Sequence, residues 1–149
     1  MKKTLKIMLP ILAAVVLFSC ASQPEKPVPQ NPVEVALESA YERYADSIIL
    51  AGAERYTVVR GDTLSHISMA KYPDGFYYPI IMLASRNTIL DPDKITPGMV
   101  LTIPNLRRNI NDATARADIK RFLFEVAIIE DQRNRPQTAE GIRALANSL

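Results

Sequence analysis

Across residues 56–104, two β-type runs at 56–59 and 100–103 bracket two helix-sized segments, with a turn signal at each junction. Two strands alone are marginal in water, so such a segment must cover its sheet with the helices it encloses. This order predicts an α+β module of β-α-α-β form, a two-stranded antiparallel sheet with both helices on one face. After the first strand, Arg60-Gly61-Asp62 is a turn, and Gly61 permits a backbone that a Cβ would obstruct. Thr63 is an N-cap for a helix over 64–71, with Leu64, Ile67 and Ala70 facing inward. Residues 72–78 read as a loop holding Pro73, Asp74 and Gly75. Pro79 opens a second helix running to Ser85 or Arg86, because the first turn does not need its missing N–H. Residues 87–97 read as a loop, Pro97-Gly98 as a type II turn, and Pro104 stops the second strand. About fifty residues without a disulfide lie near the lower size limit for a domain, so flanking segments are expected to help stabilise it.

Both flanks read as helical. In segment 33–55, Val33, Leu37, Tyr41, Tyr44, Ile48 and Ala51 fall on one stripe and predict a helix over 33–54, ended by Gly52. Tyr41 and Tyr44 read as a packing face. In the extension 105–149, Asp112 can cap a helix reaching Arg133, with Ile119, Phe122, Leu123, Val126 and Ile129 inward. Arg135-Pro136 breaks it, and Thr138 can cap a last helix carrying Ile142, Leu145 and Leu149.

The first residues predict targeting rather than fold. Residues 1–19 have a positive start (Lys2, Lys3, Lys6), then an apolar run over 7–18. That is the layout of a secretory signal, and the run is shorter than the roughly twenty residues of a spanning helix. Leu17-Phe18-Ser19-Cys20 resembles the lipobox of bacterial lipoproteins, which implies lipidation of Cys20, the only cysteine. Residues 20–32 carry Pro24, Pro27, Pro29 and Pro32 among polar residues and read as an extended tether. At roughly 3.1 Å per residue it would reach about 40 Å from a membrane.

Cleavage would remove three lysines, taking Lys+Arg from 18 to 15 against 16 Asp+Glu, a net charge of −1. The remaining chain has no basic patch for nucleic acid. With its one Cys at the anchor it has no disulfide or Cys-based zinc site, and no metal or cofactor is expected. The single His66 reads as a surface residue, and Asp91 and Asp93 as turn residues.

Tyr56-Thr57-Val58, Gly61-Asp62-Thr63-Leu64, Ile67, Asp91-Pro92-Asp93, Ile95, Pro97-Gly98 and Val100-Leu101-Thr102-Ile103-Pro104 together resemble a LysM domain, the bacterial peptidoglycan-binding module. The resemblance implies a shallow groove for an N-acetylglucosamine-containing glycan. One wall would be Gly61, Asp62, Thr63 and Leu64; the other would be Asn87, Thr88, Ile89, Leu90, Asp91 and Pro92. Backbone amides would pair with the N-acetyl group, and Leu64, Ile89 or Leu90 would meet its methyl or the sugar face. Read from the residues, Gly61, Asp62 and Pro97 are primarily turn formers. For Thr63, Leu64, Ile89 and Leu90, turn shaping and glycan contact both stay open. The module carries four Lys/Arg and four Asp/Glu, which suits an uncharged sugar.

These features lead to the expectation of a non-enzymatic, lipid-anchored envelope protein that binds peptidoglycan, with Ala21 after the Cys resembling lipoproteins of the outer membrane. Two other classes remain. The aromatic loop Phe76-Tyr77-Tyr78 resembles the LysM half of bacterial potassium-binding proteins, which implies a potassium or small-ligand sensor. The flanks could instead dock a cell-wall hydrolase or another protein partner. A hydrolase in its own right is not expected, since only about 45 residues follow the module.

Overall fold

The structure, a computed structural model, describes residues 26–149, so Cys20, the apolar run and the first part of the tether lie outside the described residues. The two strands are β1 (Glu54–Thr57) and β2 (Val100–Ile103), paired antiparallel with Glu54 opposite Ile103 and Thr57 opposite Val100. Between them lie α2 (Leu64–Lys71), a 3₁₀ turn (Gly75–Tyr77) and α3 (Tyr78–Ala84). The flanks supply α1 (Pro32–Tyr44), α4 (Leu106–Asn111), α5 (Ala113–Gln132) and α6 (Pro136–Ser148). The α+β architecture is the expected one.

The local causes are largely those expected. Thr63 Oγ1 accepts from the His66 N–H at 3.2 Å and caps α2. Asp112 accepts from the Thr114 and Ala115 amides and caps α5. Gly61 and Gly98 each have φ +94°, with nothing within 4 Å of where a Cβ would sit. Both are therefore required for their left-handed backbone, not for space. At Gly98 the Met99 N–H closes on the Thr96 carbonyl at 3.1 Å, which completes the type II turn.

Several boundaries differ. The helix expected over 33–54 ends at Tyr44, followed by a 3₁₀ turn (Ala45–Ser47) and an extended strap. Asn109, fully buried on α4, explains the strap. Its side chain accepts from the Ile49 N–H at 2.8 Å and donates to the Ile49 carbonyl at 2.9 Å, giving those backbone groups partners outside a helix. Ala70 is exposed, and the inward face of α2 is Leu64, Ile67 and Ser68. Helix α4 was not anticipated; Asn105 caps it by accepting from the Arg108 N–H at 3.0 Å. Helix α6 starts at Pro136 rather than after Thr138. Asn134, at φ 59°, reverses the chain first, and Pro136 then occupies the first turn, where its ring is tolerated.

One hydrophobic core unites module and flanks. Ile80, Ile81, Met82 and Leu83 of α3, Leu101 of β2, Ile119, Phe122 and Leu123 of α5, Leu37 of α1 and Ile142 of α6 are buried in a single cluster. Each such side chain contributes roughly 1.5–3 kcal/mol by leaving water, and many of those on the module find their partners on the flanks. Tyr41 and Tyr44 both pack on Phe122, with ring centroids 6.1 and 5.7 Å away, so the tyrosine stripe is a packing face. No helix of the described residues is long and apolar enough to cross a membrane.

Candidate functional site

The first expected wall follows β1. Asp62 is committed to shaping it: its Oδ2 accepts from the Tyr56 hydroxyl at 2.9 Å and from the Val59 N–H at 2.8 Å. That hydrogen bond pushes the Tyr56 hydroxyl above its ordinary pKa. Val59 thereby leaves the sheet ladder, and the Asp62 N–H returns to the Val59 carbonyl at 3.2 Å. The turn presents Gly61 and Thr63 to solvent, while Leu64 is buried at 2% exposure.

The second wall follows α3. Ser85 anchors its start. Its Oγ accepts from the Thr102 N–H at 2.9 Å and donates to the Thr102 carbonyl at 3.4 Å, clasping the free edge of β2. Asn87 is exposed and Thr88 half-buried, whereas Ile89 and Leu90 are in the core. Asp91 closes a turn by accepting from the Asp93 N–H at 3.0 Å, and the Lys94 N–H donates to the Asp91 carbonyl at 3.1 Å. The side chains of Leu64, Ile89 and Leu90 thus fix the walls from behind. Along the walls Thr63 and Asn87 are exposed, and Asp62, Thr88, Asp91 and Pro92 are partly exposed.

Over all of this region the chain matches the family model described as LysM domain, across residues 56–104.

Residues 56–104 are a LysM domain.

A stretch of 49 residues is 49% identical to the potassium binding protein Kbp of Escherichia coli O6:H1, covering 33% of each chain. A 56-residue stretch is 46% identical to an esterase of Mycobacterium tuberculosis strain H37Rv, covering 38% of this chain and 12% of the esterase. The likeness is therefore confined to about a third of one relative's length and an eighth of the other's. No solved structure matches the chain significantly.

Beside the second wall of the LysM domain runs a shallow recess, lined by Ser85, Asn87, Thr88, Gly98, Val100 and Thr102. The Gly61–Leu64 turn does not line it. Antiparallel strands bond at alternate residues. With Val58 bonded to Met99 and Gly98, the backbone groups of Val100 and Thr102 face the free edge. Ser85 takes those of Thr102 and leaves those of Val100 facing the recess. This edge was not among the expected contacts, because nothing in the local pattern says which strand edge stays open. Pro27 of the tether also lines the recess. A separate recess of about 490 Å³ opens at the other end of the LysM domain, between Tyr72, Tyr77, Pro104, Leu106 and Ile110.

The charged residues of the second wall have partners the sequence reading missed. Asp91 and Asp93 are turn residues, as expected, but both also meet Arg133 of the C-terminal flank. Arg135 beside Asp93 holds its carboxyl below the usual range. Lys94 pairs with Glu34 of α1 at 2.6 Å. Glu34 is 3% exposed and also accepts from the Gln30 N–H at 2.6 Å. His66 is exposed. Among the described residues no group of three or more His, Cys, Asp and Glu side chains is arranged as a metal site.

Proposed function

We propose that this chain is a non-catalytic envelope protein that binds peptidoglycan through its LysM domain and is held to a membrane, the outer membrane, by lipid on Cys20. The observation that carries the reading is the LysM domain itself, over residues 56–104. Its walls offer small neutral groups: the Gly61 backbone, the Thr63 and Thr88 hydroxyls and the Asn87 amide. Groups of this kind can hydrogen-bond an N-acetylated sugar without desolvating a charge. The open Val100 backbone adds one donor and one acceptor beside Thr88, the pair an N-acetyl amide needs. Incubation of the chain from Ala21 onward with purified sacculi tests this. Co-sedimentation is the expected result, and a protein left in the supernatant while a known LysM protein pellets would refute it.

The lipid anchor has its own test. Cys20→Ser should release the protein from the membrane fraction; retention of the variant there would contradict anchoring. A second reading is a potassium- or small-ligand-binding sensor, favoured by the name of one relative. Calorimetry with potassium giving no heat would remove it. A third role, as accessory to a wall hydrolase, would place the partner on the helical flanks and would show as co-purification with such an enzyme.

A further inference from the structure

The second wall of the LysM domain is held from outside that domain. Arg133, at the end of α5, is 10% exposed at its side chain and reaches across 42 positions of sequence. Its Nη2 donates to Asp91 Oδ1 at 2.9 Å and to Asp93 Oδ2 at 2.6 Å. Arg135 donates its Nη1 to Asp93 Oδ1 at 3.0 Å and its Nη2 to the other oxygen of the same carboxylate. Asn134, at φ 59°, lies between the two arginines, so one reversal of the chain delivers both guanidiniums to one loop. Glu130, 1% exposed, lies 3.8 Å from each of them. On the loop's other side Lys94 is tied to the buried Glu34 of α1. The Asp91-Pro92-Asp93 segment is therefore clamped by both flanks.

A single exposed ion pair would carry little meaning. This one differs in three ways. Arg133 is largely buried, the Arg135 contact is bidentate, and the donors converge on one short segment from a distant part of the chain. The segment continues directly from Asn87–Leu90 as the same wall. A wall fixed before the ligand arrives loses less conformational freedom on binding.

We propose that Arg133 is a positioning residue for the glycan site: it fixes the Asp91–Asp93 wall, so that glycan binding by the LysM domain depends on docking of the C-terminal helices. The proposal rests on the glycan-binding reading above and adds that the binding unit is larger than the family domain. Arg133 touches no sugar; it acts through the loop.

The test uses the chain from Ala21 to Leu149, which contains the whole described core, and an uncharged N-acetylglucosamine pentamer as probe. Affinities are measured by calorimetry for the wild type, Arg133→Met, Arg133→Lys, Asp93→Asn and the double variant Arg133→Met/Asp93→Asn. Arg143→Ala serves as control, because it removes a surface pair with Asp131 between α5 and α6 and leaves the loop untouched. Arg133→Met should weaken binding about five- to fiftyfold, with Arg133→Lys between it and the wild type. The double variant should bind more tightly than the product of the two single losses predicts, since both changes break the Arg133–Asp93 contact. Arg143→Ala should bind as the wild type does. A folded Arg133→Met that binds like the wild type overturns the proposal and leaves the glycan reading intact. Equal weakening by Arg143→Ala also overturns it, because general loosening would then be the cause. If Arg133→Met does not fold, Asp93→Asn decides by the same criterion. If the wild type binds no pentamer, the glycan reading fails and the proposal falls with it.

Discussion

Gly141 of α6 lies against the ring of Phe76: a Cβ built on the glycine would come within 2.2 Å of Phe76 Cζ. At that distance the ring, the turn that carries it or the helix has to shift. Phe76 belongs to the 3₁₀ turn between the two helices of the LysM domain, and α6 packs on that turn. This contact and the Arg133 clamp are two separate places where the C-terminal flank is keyed to the domain.

Gly141→Ala is therefore expected to destabilise the protein. Helix propensity alone would favour the change by about 1 kcal/mol, but overpacking costs roughly 1–3 kcal/mol and occasionally more. Because the ring meets the new carbon face-on, the steric cost wins. Thermal unfolding should show a lower midpoint for Gly141→Ala, largely restored by Phe76→Leu in the same chain. An unchanged or raised midpoint would mean that the helix does not sit this close.

The Tyr41 hydroxyl is the opposite case. Tyr41 is 2% exposed, and its Oη has no hydrogen-bond partner among the described residues. Burial, with Tyr78 and Asp91 nearby, pushes that hydroxyl far above its ordinary pKa. A buried polar atom without a partner costs about 1–3 kcal/mol. Tyr41→Phe keeps the packing on Phe122 and removes that cost. Denaturant unfolding should show it neutral or more stable by up to about 1 kcal/mol. A loss of more than this would show that the hydroxyl has a partner, such as a buried water.

Acid should act on the clamp in two opposed ways. Arg135, the nearest cation, lowers the Asp93 pKa in the folded state from 3.8. The stability Asp93 contributes is then present above its unfolded pKa and lost as pH falls through the folded value. Glu130 is shifted the other way, raised from 4.5 by desolvation. Its contribution is full below the unfolded pKa and lost as pH rises through the folded one. Asp93→Asn should flatten the fall in stability on the acid side. Glu130→Gln should flatten the decline that begins above about pH 4.5. Unfolding midpoints collected across pH 2.5–7 check both signs, and the same slope change from the two variants would contradict them.

How far the sequence was legible follows from the range of each signal. The βααβ order, the Thr63 and Asp112 caps and the Gly61 and Gly98 turns are local patterns, and the structure reproduces them. The α5 face is equally local, and its five apolar residues are all buried. The end of α1 was misplaced because Ile48 continues the apolar stripe, while the residue that unwinds the strap is Asn109, 60 positions away from Ile49. At the site, residue type could not tell which apolar wall residues face inward; Leu64, Ile89 and Leu90 fill the core. Charge pattern likewise gave no sign that Asp91 and Asp93 would meet arginines some 40 positions later.

The central claim is that the two walls of the LysM domain take an N-acetylated glycan, and backbone amide shifts during titration with the N-acetylglucosamine pentamer test it most directly. Saturable shifts are expected, concentrated at residues 61–64 and 87–91 and reaching Val100 on the open edge of β2. Shifts confined to the Tyr72, Tyr77 and Leu106 recess at the other end of the domain, or none at concentrations that saturate a known LysM protein, would contradict it.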